Sequence, residues 1–182
     1  SLNCGIGSSD NKKNVLKNLK TVCNKIGCNK KKLILLHQIH SSKFIFIKKN
    51  YKFNNKKFRA DALITNIKNV AIGVLTAECV PVLIYDKKLK IISAKNAGWK
   101  GAYKNIVSKV INFLKKKGSK VENIYAVIGP CITKKNYEIQ KDFKDRFLKK
   151  NMKNSIFFKT RKNKTYFGLN NYIYNQLEQK GI

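Results

Sequence analysis

Reactive side-chain types are concentrated in three short segments of the sequence. These segments are Gln38-Ile39-His40, residues 76–82 (TAECVPV) and residues 96–101 (NAGWKG). Each lies at the end of a strand-like apolar run, where loops hold reactive groups on a rigid scaffold. His and Cys can ligate metals, attack electrophilic carbon or move protons. Taken singly, however, a His after a strand is more often structural, and a Cys between strands is more often a small buried side chain.

The third segment combines two glycines with a lysine ahead of a predicted helix. Gly98 and Gly101 permit a close approach of the backbone to a ligand. The free N–H groups at a helix start attract anions, and Lys100 would add positive charge there. The simpler interpretation is a tight turn at Gly98 with the Trp99 indole packed beside it. The two interpretations are compatible, and both stay open.

The elements that must position these segments alternate between helix and strand. Apolar residues at helical spacing predict a helix from caps at residues 8–10 to about residue 25, and a long helix over about residues 102–117. Intermixed strands and helices predict an α/β (α+β) fold of mixed sheets layered with helices, in one domain over residues 1–182. Further strands are predicted at 33–39, 44–48, 61–65, 70–75, 80–85, 89–94, 124–128 and 155–159, a polar loop at 49–57, and helices at about 138–150 and 170–180.

The net charge of +31 is the most unusual feature of the composition. Among 40 basic residues only Arg59, Arg146 and Arg161 are arginine, and Asn and Ile are also abundant. Because Lys, Asn and Ile share A/T-rich codons, we interpret the excess as genome bias. Proteins that read nucleic acids add Arg forks and stacked aromatics. Binding to nucleic acid is therefore expected only nonspecifically, through charge.

Two other function classes are disfavoured by the composition. Apolar residues make up 43% of the chain, which argues against general disorder. No apolar run approaches the roughly 18 residues that a membrane span requires. The chain has 5 cysteines, an odd number, without a CxxC pair, and this pattern predicts a reducing, cytoplasmic location rather than a disulfide framework.

Four motifs in sequence order resemble the YfiH-like family, also called the multicopper polyphenol oxidase (laccase) domain family. The resemblance covers nearly the whole chain, and it extends to Gln38-Ile39-His40 and to Tyr137-Glu138. Family members carry additional segments at both ends, so the resemblance implies a chain truncated at both ends. The four motifs are residues 60–65 (ADALIT), 76–82 (TAECVPV), 96–101 (NAGWKG) and 128–132 (IGPCI).

The resemblance implies a mononuclear metal site, with zinc expected and copper less so. By position its ligands are His40, Cys79 and Asn96. The third departs from the family, which has His before the Ala-Gly-Trp sequence, and Asn supplies only a neutral, weaker amide donor. Glu78 and Lys100 stand where the family has Asp and Arg. His37 is a poor substitute ligand, because residues three apart on an extended strand point to opposite faces.

The resemblance further implies a purine nucleoside phosphorylase with accompanying adenosine deaminase activity. His40 and Cys79 would be the catalytic residues that hold the metal. Lys100, Gly98 and Gly101 would hold phosphate or another anion, so the expected ligands are a purine nucleoside and phosphate. With Asn96 at a ligand position, we expect this activity to be weakened.

Two alternatives remain open from the sequence. One is a cysteine hydrolase acting on peptidoglycan precursors, with Cys79 as nucleophile and His40 as base. A thiolate that ligates zinc tightly cannot attack freely, so metal content separates this alternative from a zinc enzyme. The other is a non-catalytic remnant that binds polyanions, which the Asn96 substitution and the high positive charge favour.

Overall fold

Helices and strands intermix along the chain, as the sequence predicts for an α/β (α+β) fold. The computed structural model describes residues 2–29, 32–51 and 58–182. The 3₁₀ segments Val121–Asn123 and Met152–Phe157 join regular elements. These elements are, in chain order, α1 (Lys12–Lys25), β1 (Leu33–Leu35), β2 (Phe44–Ile47), β3 (Ala62–Thr65), β4 (Ala71–Gly73), β5 (Val80–Asp86), β6 (Ile91–Ala97), α2 (Trp99–Tyr103), α3 (Ile106–Lys116), β7 (Ile124–Ile128), β8 (Glu138–Ile139), α4 (Lys141–Lys150), β9 (Phe158–Arg161), β10 (Lys164–Phe167) and α5 (Leu169–Glu178).

A five-stranded mixed sheet in the order β2-β3-β6-β5-β7 lies at the centre of the fold. Strand β2 runs parallel to β3, and the other neighbours pair antiparallel. One face of this sheet packs against α3 and α5 in a single apolar core. The apolar stripe predicted for the long helix supplies part of that core, and the buried helix residues are Ile106, Val107, Val110, Ile111 and Leu114.

The opposite face of the sheet is covered only in part. Because side chains alternate along a strand, Leu63 of β3 points away from the helices. It packs in a second, smaller core with Ile34, Leu36, Ile47 and Ala60. This smaller core lies beside β1 and β4, which pair parallel in a two-stranded sheet. The remaining sheet, in the order β8-β10-β9, is antiparallel.

Two predicted elements are shorter than expected, each for a local reason. The helix predicted over 102–117 is interrupted, because Asn105 adopts the left-handed conformation with φ 59° and α3 begins after it. The strand predicted over 33–39 ends at Leu35. Beyond Leu35, the Gln38 side chain takes the place of backbone strand pairing. It donates a hydrogen bond to the Leu75 carbonyl at 2.8 Å and accepts one from the Leu75 N–H at 2.7 Å.

The C-terminal third contains elements that the sequence analysis missed. The helix predicted over 138–150 is preceded by the two-residue strand β8. The strand predicted over 155–159 is a 3₁₀ segment that leads into β9, and β10 was not predicted. Lys162 and Asn163 join β9 to β10 with positive φ values of 48° and 58°, the requirement of a tight hairpin turn. Of the predicted loop over 49–57, residues 52–57 lie outside the described residues.

Among the described residues, none of the helices combines the length and apolar character needed to cross a membrane.

Candidate functional site

The three segments singled out in the sequence meet at one end of the central sheet. Because β5 and β6 are antiparallel, with Val80 opposite Ala97, the end of β6 lies beside the start of β5. This register places Asn96 to Gly98 next to Cys79. A cavity of about 370 Å³ opens there, and its lining residues are His40, Glu78, Cys79, Gly98, Trp99, Lys100, Ile132, Tyr137 and Leu169. The lining carries one lysine and one glutamate, so the strong positive charge of the chain is not concentrated in this cavity.

Gly98 is the point at which the thiol and the imidazole come together. A Cβ atom added at Gly98 would lie 2.8 Å from Cys79 Sγ and 3.4 Å from His40 Cδ2. The shorter distance is below any normal contact, so a larger residue would displace Cys79. The structure therefore gives Gly98 a local role that the sequence did not specify: it leaves room for Cys79 and His40 beside each other.

Asp61 holds the loop that carries His40. The carboxylate of Asp61 is fully buried. It accepts hydrogen bonds from the backbone N–H of Ile39 at 3.2 Å, of His40 at 2.9 Å and of Ser41 at 2.6 Å. The Ser41 hydroxyl donates a fourth bond, at 2.7 Å. The loop thus wraps around one buried anion, whose bonds to N–H donors are of the strong, charge-assisted kind.

The same residue links His40 to Asn96. The Asp61 carbonyl accepts a hydrogen bond of 2.8 Å from the Asn96 N–H. His40 itself has a φ of 51°, which is unfavourable for a residue with a side chain. The bonds to Asp61 stabilise that conformation. In the sequence, Asp61 stands out only as part of the ADALIT motif, and the signal for its role is a carboxylate at the start of an otherwise apolar strand.

We expect Asp61→Asn to loosen the His40 loop without changing side-chain size. The amide NH₂ would face N–H donors, and the buried charge would be lost. The free energy of unfolding should fall by about 2–3 kcal/mol, the scale of a hydrogen bond to a charged group left unmade. Chemical denaturation measures this loss, and the NMR signal of the His40 ring should broaden or shift.

The matched control is Asp142→Asn. Asp142 is exposed and forms a 3.5 Å surface ion pair with Arg146. Such pairs contribute little, so the free energy of unfolding should change by no more than about 0.5 kcal/mol. Equal effects of the two substitutions would show that Asp61 does not hold the loop.

Asn96 is buried beside Cys79, and its side chain lacks partners. Neither the amide nitrogen nor the amide oxygen of Asn96 forms a hydrogen bond of normal geometry. The amide is nevertheless close enough to Cys79 to lower the pKa of the thiol. Burial has the larger, opposite effect, and the negative charges of Asp61 and Glu78 add to it, so the pKa of Cys79 is raised above its usual value. The thiol is therefore protonated at neutral pH.

Tyr137 contributes a phenol to the same cavity. Burial, together with the smaller effects of the neighbouring Cys79 and Glu78, raises the pKa of Tyr137 to about 12. The hydroxyl group therefore remains a hydrogen-bond donor over the whole physiological pH range. The ring is held against Phe143 and Phe167, with centroid distances of 6.1 Å to each. In the sequence, Tyr137 is recognisable only through the family resemblance, since one tyrosine in a loop has no distinguishing pattern.

The segment after Gly98 is arranged differently from the prediction. The helix begins at Trp99 rather than beyond Gly101, and α2 is only five residues long. Lys100 is exposed at the cavity, with its Nζ atom 5.6 Å from the centre of the Trp99 ring. Gly101 does not line the cavity; a Cβ there would lie 2.7 Å from the Ser41 carbonyl oxygen. The close approach predicted for Gly101 is therefore to the chain's own His40 loop and not to a ligand.

The donor set does not fit a zinc site with three strong protein ligands. His40 and Cys79 provide an imidazole and a thiol, but Asn96 provides only a neutral amide. Within residues 2–29, 32–51 and 58–182, no group of three or more His, Cys, Asp and Glu side chains is placed to hold a metal ion. His37 lies outside the cavity lining, in a backbone bridge with Arg59. Of the three predicted zinc ligands, only His40 and Cys79 therefore offer a donor that zinc normally binds.

Comparisons with known proteins identify the family and the fold. Residues 1–182 match the sequence profile of the family described as multi-copper polyphenol oxidoreductase laccase. A purine nucleoside phosphorylase of Rickettsia conorii is 34% identical over 152 residues, covering 82% of this chain and 61% of that protein. One of Aquifex aeolicus is 35% identical over 153 residues, covering 84% and 68%. An adenosine deaminase from an unknown prokaryotic organism is 28% identical over 142 residues, covering 71% and 52%.

Solved structures share the fold over the whole chain. A hypothetical protein, YfiH, of Bacillus licheniformis superposes with a TM-score of 0.89 at 24% identity, covering 100% of this chain and 72% of that one. A Neisseria meningitidis protein of family DUF152 superposes with a TM-score of 0.86 at 26% identity, with the same coverage. The chain spans less than two thirds of the length of the Rickettsia conorii relative, 61%.

Proposed function

The chain belongs to the multi-copper polyphenol oxidoreductase laccase family, and from that membership we propose that it is a purine nucleoside phosphorylase. The observation that carries the proposal is the cavity at the sheet end, where Trp99 and Tyr137 stand beside Lys100 and Glu78. Its volume of about 370 Å³ lies in the range of small-molecule sites. Relatives that bear the name purine nucleoside phosphorylase support the choice of reaction.

In the proposed reaction a phosphate oxygen attacks C1′ of the ribose. The bond from C1′ to N9 breaks and its electron pair leaves with the purine. The purine takes up the proton that hydrogen phosphate loses, so the products are ribose 1-phosphate and the free base. The transition state therefore needs a held phosphate and a stabilised negative charge on the departing base. Lys100, exposed at the cavity, binds the phosphate by charge. The Tyr137 phenol, which stays protonated, donates a hydrogen bond to the purine.

Adenosine deaminase activity is the weaker part of the proposal. Deamination needs a hydroxide at C6 of the purine, which zinc supplies in sites that have three protein ligands and one open position. His40, Cys79 and Asn96 do not fit such a site. We therefore propose that phosphorolysis is the main reaction of this chain and that its deaminase activity is low.

The cysteine hydrolase alternative is disfavoured by the state of Cys79. A nucleophilic cysteine is activated by an adjacent general base or by a lowered pKa, as beside a protonated imidazole or a helix N-terminus. Burial instead raises the pKa of Cys79. The alternative of a polyanion-binding remnant rests on the net charge of +31 and on Asn96 at a ligand position. The charge does not extend into the cavity, whose lining has one lysine and one glutamate.

The test is phosphate-dependent cleavage of inosine, guanosine and adenosine, followed by detection of the free base and of ribose 1-phosphate. Tyr137→Phe removes only the hydroxyl group, and we expect it to lower kcat by roughly 10- to 100-fold, with a smaller change in KM. Tyr174→Phe is the matched control, because Tyr174 is exposed on α5 and lies outside the cavity lining. Absence of phosphate-dependent cleavage, or equal effects of the two substitutions, would contradict the proposal.

A further inference from the structure

Two opposite charges face the cavity without forming an ion pair. The cavity lining holds one glutamate, Glu78, and one lysine, Lys100. Among the described residues, Glu78 forms no ion pair and its carboxylate accepts no hydrogen bond. Lys100 likewise has no ion-pair partner in that part of the chain, and its Nζ atom lies over the Trp99 ring. The cavity therefore offers an anion and a cation that a ligand can contact separately.

The backbone fixes the position of Glu78 beside the reactive groups of the cavity. The Glu78 carbonyl accepts a hydrogen bond of 3.0 Å from the N–H of Ile132, which also lines the cavity. Burial is the main cause of the raised pKa of Cys79 and of Tyr137, and the negative charge of Glu78 adds to both. Because such effects weaken with distance, the exposed carboxylate of Glu78 lies close to both groups.

We propose that the Glu78 carboxylate binds the 2′- and 3′-hydroxyl groups of a ribonucleoside and so makes the cavity selective for ribose over deoxyribose. This role rests on the proposed function, because ribose is the part of the substrates that Lys100 and Tyr137 leave unbound. An ionised carboxylate only accepts hydrogen bonds, and each of its two oxygens can accept one from a hydroxyl group. A carboxylate binds a ribose hydroxyl group in this way in dinucleotide-binding folds.

Charge separates phosphate from ribose within the cavity. Glu78 repels phosphate and Lys100 attracts it, so phosphate binds on the Lys100 side. The ribose hydroxyl groups are neutral donors, which the carboxylate accepts without an opposing charge. A nucleoside that lacks both hydroxyl groups leaves the carboxylate without these donors. Sites that hydrogen-bond a substrate hydroxyl group discriminate strongly against an analogue that lacks it.

The test compares the binding of inosine and of 2′,3′-dideoxyinosine in phosphate-free buffer, where phosphorolysis does not follow. Isothermal titration calorimetry measures the two dissociation constants. Trp99 lines the cavity and is the one tryptophan of the sequence, so a change in its fluorescence shows that the ligand lies there. We expect inosine to bind more tightly by roughly 10- to 100-fold, the scale of hydrogen bonds to a charged group.

Glu78→Met removes both acceptor oxygens and keeps a similar side-chain length. It should weaken the binding of inosine by that same factor and change the binding of dideoxyinosine by no more than about twofold. Glu78→Asp retains a carboxylate and should restore part of the preference for inosine. Glu178→Met is the matched control, because Glu178 is exposed on α5 and lies outside the cavity lining. This variant should keep the full preference.

Two results separate the role of Glu78 from the proposed function. Equal binding of the two nucleosides by the parent protein would overturn the role of Glu78, even where inosine is cleaved once phosphate is added. A preference for inosine that Glu78→Met abolishes, without any cleavage on addition of phosphate, would support that role and contradict the proposed function. Absence of inosine binding, or an equal loss for both nucleosides in Glu78→Met, would also overturn the role of Glu78.

Discussion

Replacing Asn96 with histidine is expected to create a zinc site in this cavity. The side chain at 96 is buried and close enough to Cys79 to affect the pKa of the thiol, and Cys79 and His40 both lie against Gly98. An imidazole at 96 would complete three protein ligands with one open position. Zinc affinity should rise by at least about tenfold. Mutation of a residue that only hydrogen-bonds to a metal ligand already changes metal affinity by about that factor. Competition with a chromophoric chelator measures the affinity, and adenosine deamination should rise in parallel.

Two controls accompany this substitution. Asn96→Leu has the same branched side-chain shape and no donor atom, so it should gain no zinc. Cys79→Ala in the Asn96→His variant should abolish both the bound metal and the gain in activity. Our account of the site is wrong if the unmodified protein retains stoichiometric zinc through dialysis and Asn96→His changes nothing. Asn96 would then be a competent ligand, or the metal would lie elsewhere.

Lys95→Met is expected to stabilise the protein strongly at and below neutral pH. Lys95 is fully buried on the helix side of the sheet, opposite Ala62 and Val82 in the neighbouring strands. Its Nζ atom has no hydrogen-bond partner. Burial lowers the pKa of Lys95 to about 7. Methionine matches the length of the side chain and has no charge to bury, so the substitution removes this penalty.

The pH dependence follows from proton binding. In the unfolded chain the lysine binds a proton up to a pKa of 10.5, whereas in the folded chain it releases that proton above about pH 7. Between these values the unfolded state binds more protons, so the stability of the parent protein rises with pH. We expect Lys95→Met to raise the free energy of unfolding on the order of 4 kcal/mol at pH 6 and about 2 kcal/mol at pH 9.

Urea denaturation of parent and variant at both pH values measures the difference between their free energies of unfolding. Repulsion among the other positive charges is present in both proteins and therefore cancels from this difference. Lys104→Met on the exposed surface is the matched control and should change stability by no more than about 0.5 kcal/mol at either pH. A Lys95→Met effect that is the same at pH 6 and pH 9 would show that packing, and not the buried charge, is responsible.

The sequence by itself determined the class of fold and most of the cavity. Periodic apolar residues located α1 and the core-facing stripe of α3, because burial requires one face of a helix to be apolar. Short apolar runs located the strands of the central sheet for the same reason. Motifs at strand ends identified His40, Cys79 and the Asn96 segment, since loops at those ends carry reactive groups. The family was recognised from the order of these motifs.

The tertiary structure alone decided how distant residues act on one another. The predicted strand at 89–94 ended before Lys95, and a lysine is usually exposed; its burial follows from the pairing of β6 with strands on both sides. The carboxylate of Asp61 acts on residues 20 to 22 positions earlier in the chain. Gly101 similarly fits against Ser41. Such contacts depend on the register of the strands and on the path of the loops. A local apolar pattern does not encode either, because it indicates only which residues of one helix or strand are buried.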